Sequence, residues 1–85
     1  MNNKEPINHD EQVKKYAIME PEYQAILALY ETRISLGITQ SELAKLAHVR
    51  QSNISRIENG TCSPTIKTLS ELAYAMGKKL EIKIK

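Results

Sequence analysis

The chain of 85 residues has 12 basic and 10 acidic side chains, a formal net charge of +2, and 41% hydrophobic residues, with four Tyr and neither Phe nor Trp. That supports one small domain with an aliphatic core and excludes a large substrate cavity. Apolar runs span only a few residues, no basic-then-apolar leader opens the chain, and its single cysteine, Cys62, has no partner for a disulfide or a metal, so a cytoplasmic protein without membrane contact, metal or cofactor is expected.

The charge is unevenly laid out. Residues 1–22 hold three basic and five acidic groups, residues 23–77 five and four, and residues 78–85 four and one, which makes the front net −2, the middle +1 and the end +3. So small a total does not establish nucleic-acid binding, and that reading has to come from the placement of individual side chains.

Residues 1–10 are polar, contain Pro6 and are expected to be disordered. Asp10 can cap a short helix in which Val13, Tyr16 and Ala17 form a narrow apolar stripe. Residues 1–20 therefore read as a tail with a short helix, which either packs on its own domain or frays, or folds against a partner protein. Pro21 suits the first position of a new helix and Gly37 the left-handed position after its end. Between them Tyr23, Ile26, Leu27, Tyr30 and Ile34 recur at helical spacing and predict its buried face.

Thr39-Gln40-Ser41-Glu42 reads as a capping box that opens a helix of about two turns, with Leu43, Ala44 and Leu46 inward. Residues 51–58, QSNISRIE, predict a further short helix with Ile54 and Ile57 inward, ended by Asn59-Gly60. Thr65 caps the next, whose predicted core residues are Ile66, Leu69, Leu72, Ala73 and Met76, closed by Gly77. Residues 78–85 alternate, with Leu80, Ile82 and Ile84 on one face and Lys79, Glu81, Lys83 and Lys85 on the other, the period of a half-buried strand. A lone strand leaves its backbone groups unpaired. It is therefore expected to pair with its own copy across a homodimer, Leu80, Ile82 and Ile84 forming the dimer contact, the alternative being a tail that folds back on its own domain or stays disordered.

Two short helices joined by a tight turn are the parts of a helix-turn-helix. Gln51, Ser52, Ser55 and Arg56 gather on the outer side of the second, and no carboxylate precedes Glu58. Such a face can hydrogen-bond to base edges and phosphates. An enzyme would need a nucleophile, a base and a pocket, whereas His9, His48 and Cys62 fall in a tail, a turn and a loop, so no catalysis is expected.

Residues 33–77, in which LGITQSELA, ISRIENG and SP followed by TLSELAYAMG stand in order, resemble the helix-turn-helix domain of lambdoid phage repressors and Cro, the XRE family. The resemblance implies an all-α, lambda-repressor-like domain of four to five helices over residues 21–77, followed by the dimerisation strand 78–85. It implies that Gln51, Ser52 and Arg56 read bases in the major groove of double-stranded operator DNA, with Asn53 and Ser55 beside them. Gln40 and Asn59 match phosphate-contacting positions. Arg33 and Glu58 match a pair that forms a largely internal salt bridge, from which Arg33 can also touch a phosphate. Two residues depart from the pattern. His48 stands where Gly is common, and Arg50 replaces the usual Ser or Thr cap of the recognition helix, exchanging about 1 kcal/mol of capping for a cation beside the DNA backbone.

The front segment with MEPEYQAILALYETRI and the tail GKKLEIKIK are similar to HigA antitoxins. That likeness implies an antitoxin that neutralises a small basic RelE/HigB-like ribonuclease toxin and represses its own operon; residues 1–20, acidic, weakly amphipathic and not needed by a minimal DNA-binding domain, are the candidate toxin-binding segment. A stand-alone prophage-type or housekeeping repressor is the alternative.

Overall fold

The computed structural model describes residues 9–85, and their side chains from Glu20 onward. The disorder expected over residues 1–10 falls almost wholly outside the described residues. Four helices form: α1 (His9–Leu36), α2 (Gln40–Ala47), α3 (Gln51–Glu58) and α4 (Ile66–Ala75). Instead of a short helix followed by a second one opening at Pro21, α1 runs unbroken for 28 residues with Pro21 inside it. Proline offers no N–H to the carbonyl four residues earlier, but Pro21 is exposed, so water can satisfy that carbonyl and the ring displaces nothing in the core. The helix stops where expected. Gly37 takes φ 71°, its N–H donating to the Ile34 carbonyl at 3.0 Å.

The capping box at the start of α2 is present in full. The Glu42 N–H donates to the Thr39 hydroxyl at 3.0 Å and the Thr39 N–H to the Glu42 carboxylate at 2.7 Å. At the other end His48 adopts φ 58°, ψ 42°, the left-handed conformation in which the Val49 N–H can return to the Ala44 carbonyl at 3.0 Å. His48-Val49-Arg50 is therefore the turn between α2 and α3. Arg50 caps α3 in extended geometry with no side-chain hydrogen bond, as its side chain, which has no acceptor, requires. On α4 the Thr65 hydroxyl accepts the Thr68 N–H at 3.0 Å.

Leu43, Ile54 and Leu72, one from each of α2, α3 and α4, are the fully buried centre of the core, joined by Leu29, Ala44, Ile57, Leu69 and Met76. Each aliphatic side chain so buried contributes roughly 1.5–3 kcal/mol. The expected inward residues are corrected at three places. Leu46 is exposed, because the buried face of α2 centres on Leu43, Ala44 and Ala47, about 100° away around the helix. Ile66 is exposed at the first position of α4, beyond the edge of the core. On α1 the face turned inward is Ala25, Ile26, Leu29 and Arg33, whereas Tyr23, Tyr30 and Ile34 face solvent. The predicted stripe was displaced by about one residue, roughly 100°.

Residues 78–85 carry neither helix nor strand. A strand needs a hydrogen-bonding partner, and the one backbone bond to the segment among the described residues, from the Lys78 N–H to the Ala73 carbonyl at 2.9 Å, closes the end of α4 and starts no ladder. Of the alternating apolar residues, Leu80 packs on the core while Ile82 and Ile84 are exposed. Leu80 and Ile82 border a groove of about 680 Å³ whose other walls include Ala25 and Leu29 of α1 and Ile66 and Ala73 of α4.

Pro21→Ala restores the missing donor in α1. The variant is expected to gain helical signal in far-UV circular dichroism and to be more stable by up to about 3 kcal/mol in urea unfolding.

Candidate nucleic-acid interface

The geometry of the helix-turn-helix is set by one side chain from α1. Arg33 is buried, and its guanidinium forks onto the carboxylate at the end of α3: Nε donates to Glu58 Oε2 at 2.7 Å and Nη2 to Oε1 at 2.8 Å. Nη1 donates to the Ile38 carbonyl at 2.9 Å, just before α2, and the guanidinium lies 5.5 Å from the centre of the Tyr30 ring. Gln40, at the first position of α2, adds a third donor to the carboxylate, Nε2 to Glu58 Oε1 at 2.9 Å. Three helices thus converge on one carboxylate. Burial by itself would raise the Glu58 pKa, but the hydrogen bonds from Arg33 and Gln40 outweigh it and hold the carboxyl below its ordinary value. The same hydrogen bond to Glu58 raises the pKa of Arg33.

This bonding places Arg33 inside the domain. All three guanidinium nitrogens are engaged by protein acceptors, which gives the residue the structural role expected of it first. Gln40 is half-buried and shares the task, with one amide hydrogen on Glu58. The backbone N–H groups of Gln40 and Ser41 have no acceptor among the described residues and form the open N-terminus of α2.

The outward face of α3 carries Gln51, Ser52, Asn53 and Arg56, all exposed, with Ser55 half-exposed beside them. Arg50 is exposed at its start and Lys45 in the last turn of α2. Residues 39–61 contain just two carboxylates, Glu42 and Glu58. Both accept hydrogen bonds. The Glu42 carboxylate accepts from the Thr39 N–H, which lowers its pKa and leaves it exposed and charged, whereas Glu58 is drawn in by Arg33 and Gln40, so three exposed cations stand against one exposed carboxylate. That arrangement can accept a polyanion and offers amide, hydroxyl and guanidinium donors to base edges.

Asn59 follows α3, and its side chain is oriented by a residue the sequence reading passed over. Thr61 donates its N–H at 3.0 Å and its hydroxyl at 2.7 Å to Asn59 Oδ1. The Asn59 amide nitrogen, with no acceptor among the described residues, is left to donate outward. The Asn-x-Thr spacing, which favours a local side-chain turn, was the available signal. Among the described residues no three His, Cys, Asp or Glu side chains form a group able to hold a metal ion, and no helix is long and apolar enough to cross a membrane.

Glu58→Gln leaves Arg33 buried without its counter-charge and is expected to cost about 3 kcal/mol, measured by urea unfolding at pH 7. The folded carboxyl holds its proton less tightly than the unfolded one. Its stabilising effect is therefore complete above the ordinary Glu value of about 4.3 and is lost as pH falls through the lowered folded value. The native chain should lose melting temperature below about pH 4.5, and the Glu58→Gln variant should show a shallower fall.

The comparisons with known proteins agree with this geometry. The helix-turn-helix family model HTH_3 matches residues 29–83. The chain is 37% identical over 81 residues, 94% of its length and 79% of the relative's, to a Mycobacterium tuberculosis protein named "Putative antitoxin HigA2". It is 42% identical over 57 residues, 67% of its length and 58% of the relative's, to an uncharacterized HTH-type transcriptional regulator of Haemophilus influenzae. A solved chain of a toxin-antitoxin module from Streptococcus pneumoniae superposes with a TM-score of 0.61 at 26% identity, covering 92% of this chain and 81% of that one. With an Arg-locked two-helix unit, an outward polar α3 and a family match over most of its length, the chain belongs to the XRE-type helix-turn-helix family of DNA-binding proteins.

Proposed function

We propose that this protein is a sequence-specific antitoxin that neutralises a small basic ribonuclease of the RelE/HigB type and, as a homodimer on double-stranded operator DNA, represses its own operon. The observation that carries the DNA-binding half is the outward face of α3, whose donors stand clear of the helix's one carboxylate, Glu58, drawn inward by Arg33. Gln51, Ser52 and Arg56 read base edges in the major groove, with Asn53 and Ser55 beside them. Arg50, the open N-terminus of α2 at Gln40 and the outward amide of Asn59 hold phosphates. The antitoxin half is supported by the relative named as an antitoxin and by the neighbour from a toxin-antitoxin module. The regulator from Haemophilus influenzae supports the lone-repressor alternative. Co-expression with the product of an adjoining reading frame separates the two: rescue of growth supports the antitoxin, and no rescue favours the repressor.

The dimer forms through residues 78–85. Ile82 and Ile84 are exposed and the backbone of residues 79–85 has no hydrogen-bond partner among the described residues, so an antiparallel ribbon with a second copy satisfies the hydrogen bonds and covers Leu80, Ile82 and Ile84 together. Deleting residues 79–85 should convert a dimer to a monomer in sedimentation at micromolar concentration and weaken operator binding; a truncated dimer would refute the ribbon.

Arg50→Ser separates stability from binding. Serine supplies the missing cap and should stabilise the free domain by about 1 kcal/mol. The same change should weaken matched and scrambled duplexes alike and reduce the salt slope by about one unit, whereas Gln51→Ala should change operator preference. Equal affinity of the native chain for matched and scrambled duplexes at physiological salt would defeat the sequence-specific reading.

A further inference from the structure

The outer face of α1 is spent neither on the core nor on the face offered to DNA. Tyr23, Leu27, Tyr30 and Ile34 follow one another at spacings of four, three and four, which places them in a single stripe along the helix. Tyr23 is 61%, Tyr30 43% and Ile34 51% exposed, and Leu27 is half-buried. In the sequence the same spacing continues upstream through Glu20 to Tyr16 and Val13. Exposed aromatic and aliphatic side chains in register on one helix are the pattern of a helix that lies against a partner.

The charges around the stripe select the partner. Between Glu20 and Leu36 the chain has three carboxylates, Glu20, Glu22 and Glu31, all exposed, and one cation, Arg33, which is buried on Glu58. Glu20 and Glu31 border the stripe, while Glu22 lies away from it in the groove with Lys78 and Lys79, so between residues 20 and 36 the helix adds carboxylates and no exposed cation to the stripe. DNA is repelled by it. A second copy fits poorly as well, because two copies of residues 20–36 laid together would set Glu20 and Glu31 against their like while the one cation of that stretch, Arg33, is buried. A basic protein surface with an apolar patch matches both features. A ribonuclease has such a surface, since it must hold RNA.

Building on the antitoxin reading, we propose that Tyr23, Leu27, Tyr30 and Ile34, flanked by Glu20 and Glu31, are the docking surface for the basic toxin. Toxin and operator DNA then meet opposite kinds of surface on one domain: the acidic, apolar side of α1 and the cationic, polar side of α3. The expected toxin-binding segment thereby extends from residues 1–20 into the folded domain.

The test uses the full chain and, as probe, the purified product of the reading frame adjoining its gene. The double variant Tyr23→Ser/Ile34→Ser should bind that protein at least tenfold more weakly by calorimetry, with operator affinity and sedimentation mass unchanged. Glu31→Lys replaces a fully solvated residue that no fold contact requires. It should weaken toxin binding severalfold at low salt, and the difference should shrink at high salt. Native-like toxin affinity in both variants would overturn the docking surface while leaving the antitoxin reading intact. A double variant that becomes monomeric would overturn it in favour of a contact between copies. If the native chain itself fails to bind the probe, the antitoxin reading and the docking surface fall together.

Discussion

The arrangement of this domain depends on the buried carboxylate of Glu58. It accepts two hydrogen bonds from Arg33 on α1 and one from Gln40 on α2 while belonging itself to the last residue of α3. A buried ion pair of this kind adds little net stability, since desolvating both charges offsets most of their attraction. Its contribution is geometric. A planar fork on a carboxylate admits few relative positions of the helices that carry it, so α3 is held at one angle to α1, with its polar side outward.

That constraint also shapes the electrostatics. Had Glu58 been free at the end of α3, it would have placed a negative charge beside Arg56 and Asn59. Drawn inward, it is neutralised by Arg33, while Glu42 accepts from the Thr39 N–H. Glu58 is thus removed from the face where it would oppose a polyanion, whereas Glu42 stays exposed and ionised at the start of α2. Arg50 works in the contrary sense. A cation at a helix N-terminus is unfavourable beside the positive end of the dipole and gives no cap, so α3 carries a local cost in the free domain that a bound phosphate would relieve.

The small aliphatic core leaves much of the apolar surface uncovered. Leu43, Ile54 and Leu72 are fully enclosed, yet Tyr23, Tyr30, Ile34, Ile66, Ile82 and Ile84 remain exposed on two separate regions, the outer side of α1 and the neighbourhood of the C-terminal segment. One chain of this size cannot bury both. Their separation is consistent with different occupants, a second copy at the C-terminal segment and a basic partner on α1.

What the sequence determined by itself was local. The Thr39–Glu42 capping box, the left-handed positions at Gly37 and His48, the Thr65 cap and the polar face of QSNISRIE are all decided by atoms within four residues of one another, and each formed as its residues require. What only the tertiary structure decided was which side of a helix faces inward, although the Arg33–Glu58 pair that sets it on α1 was already implied by the family resemblance. On α1, Leu29 and Arg33 took the inward face from Tyr30 and Ile34 because Glu58, 25 residues further on, supplies the partner that makes a buried guanidinium tolerable. Hydrophobic periodicity counts an arginine as surface and so displaces the stripe by a residue. The same limit hid the engagement of Gln40 and the unbroken passage of α1 through Pro21. Nor could the alternation of residues 78–85 make a strand in one chain, because a β-ladder is a contact between two segments and the pattern of one supplies only half of its hydrogen bonds.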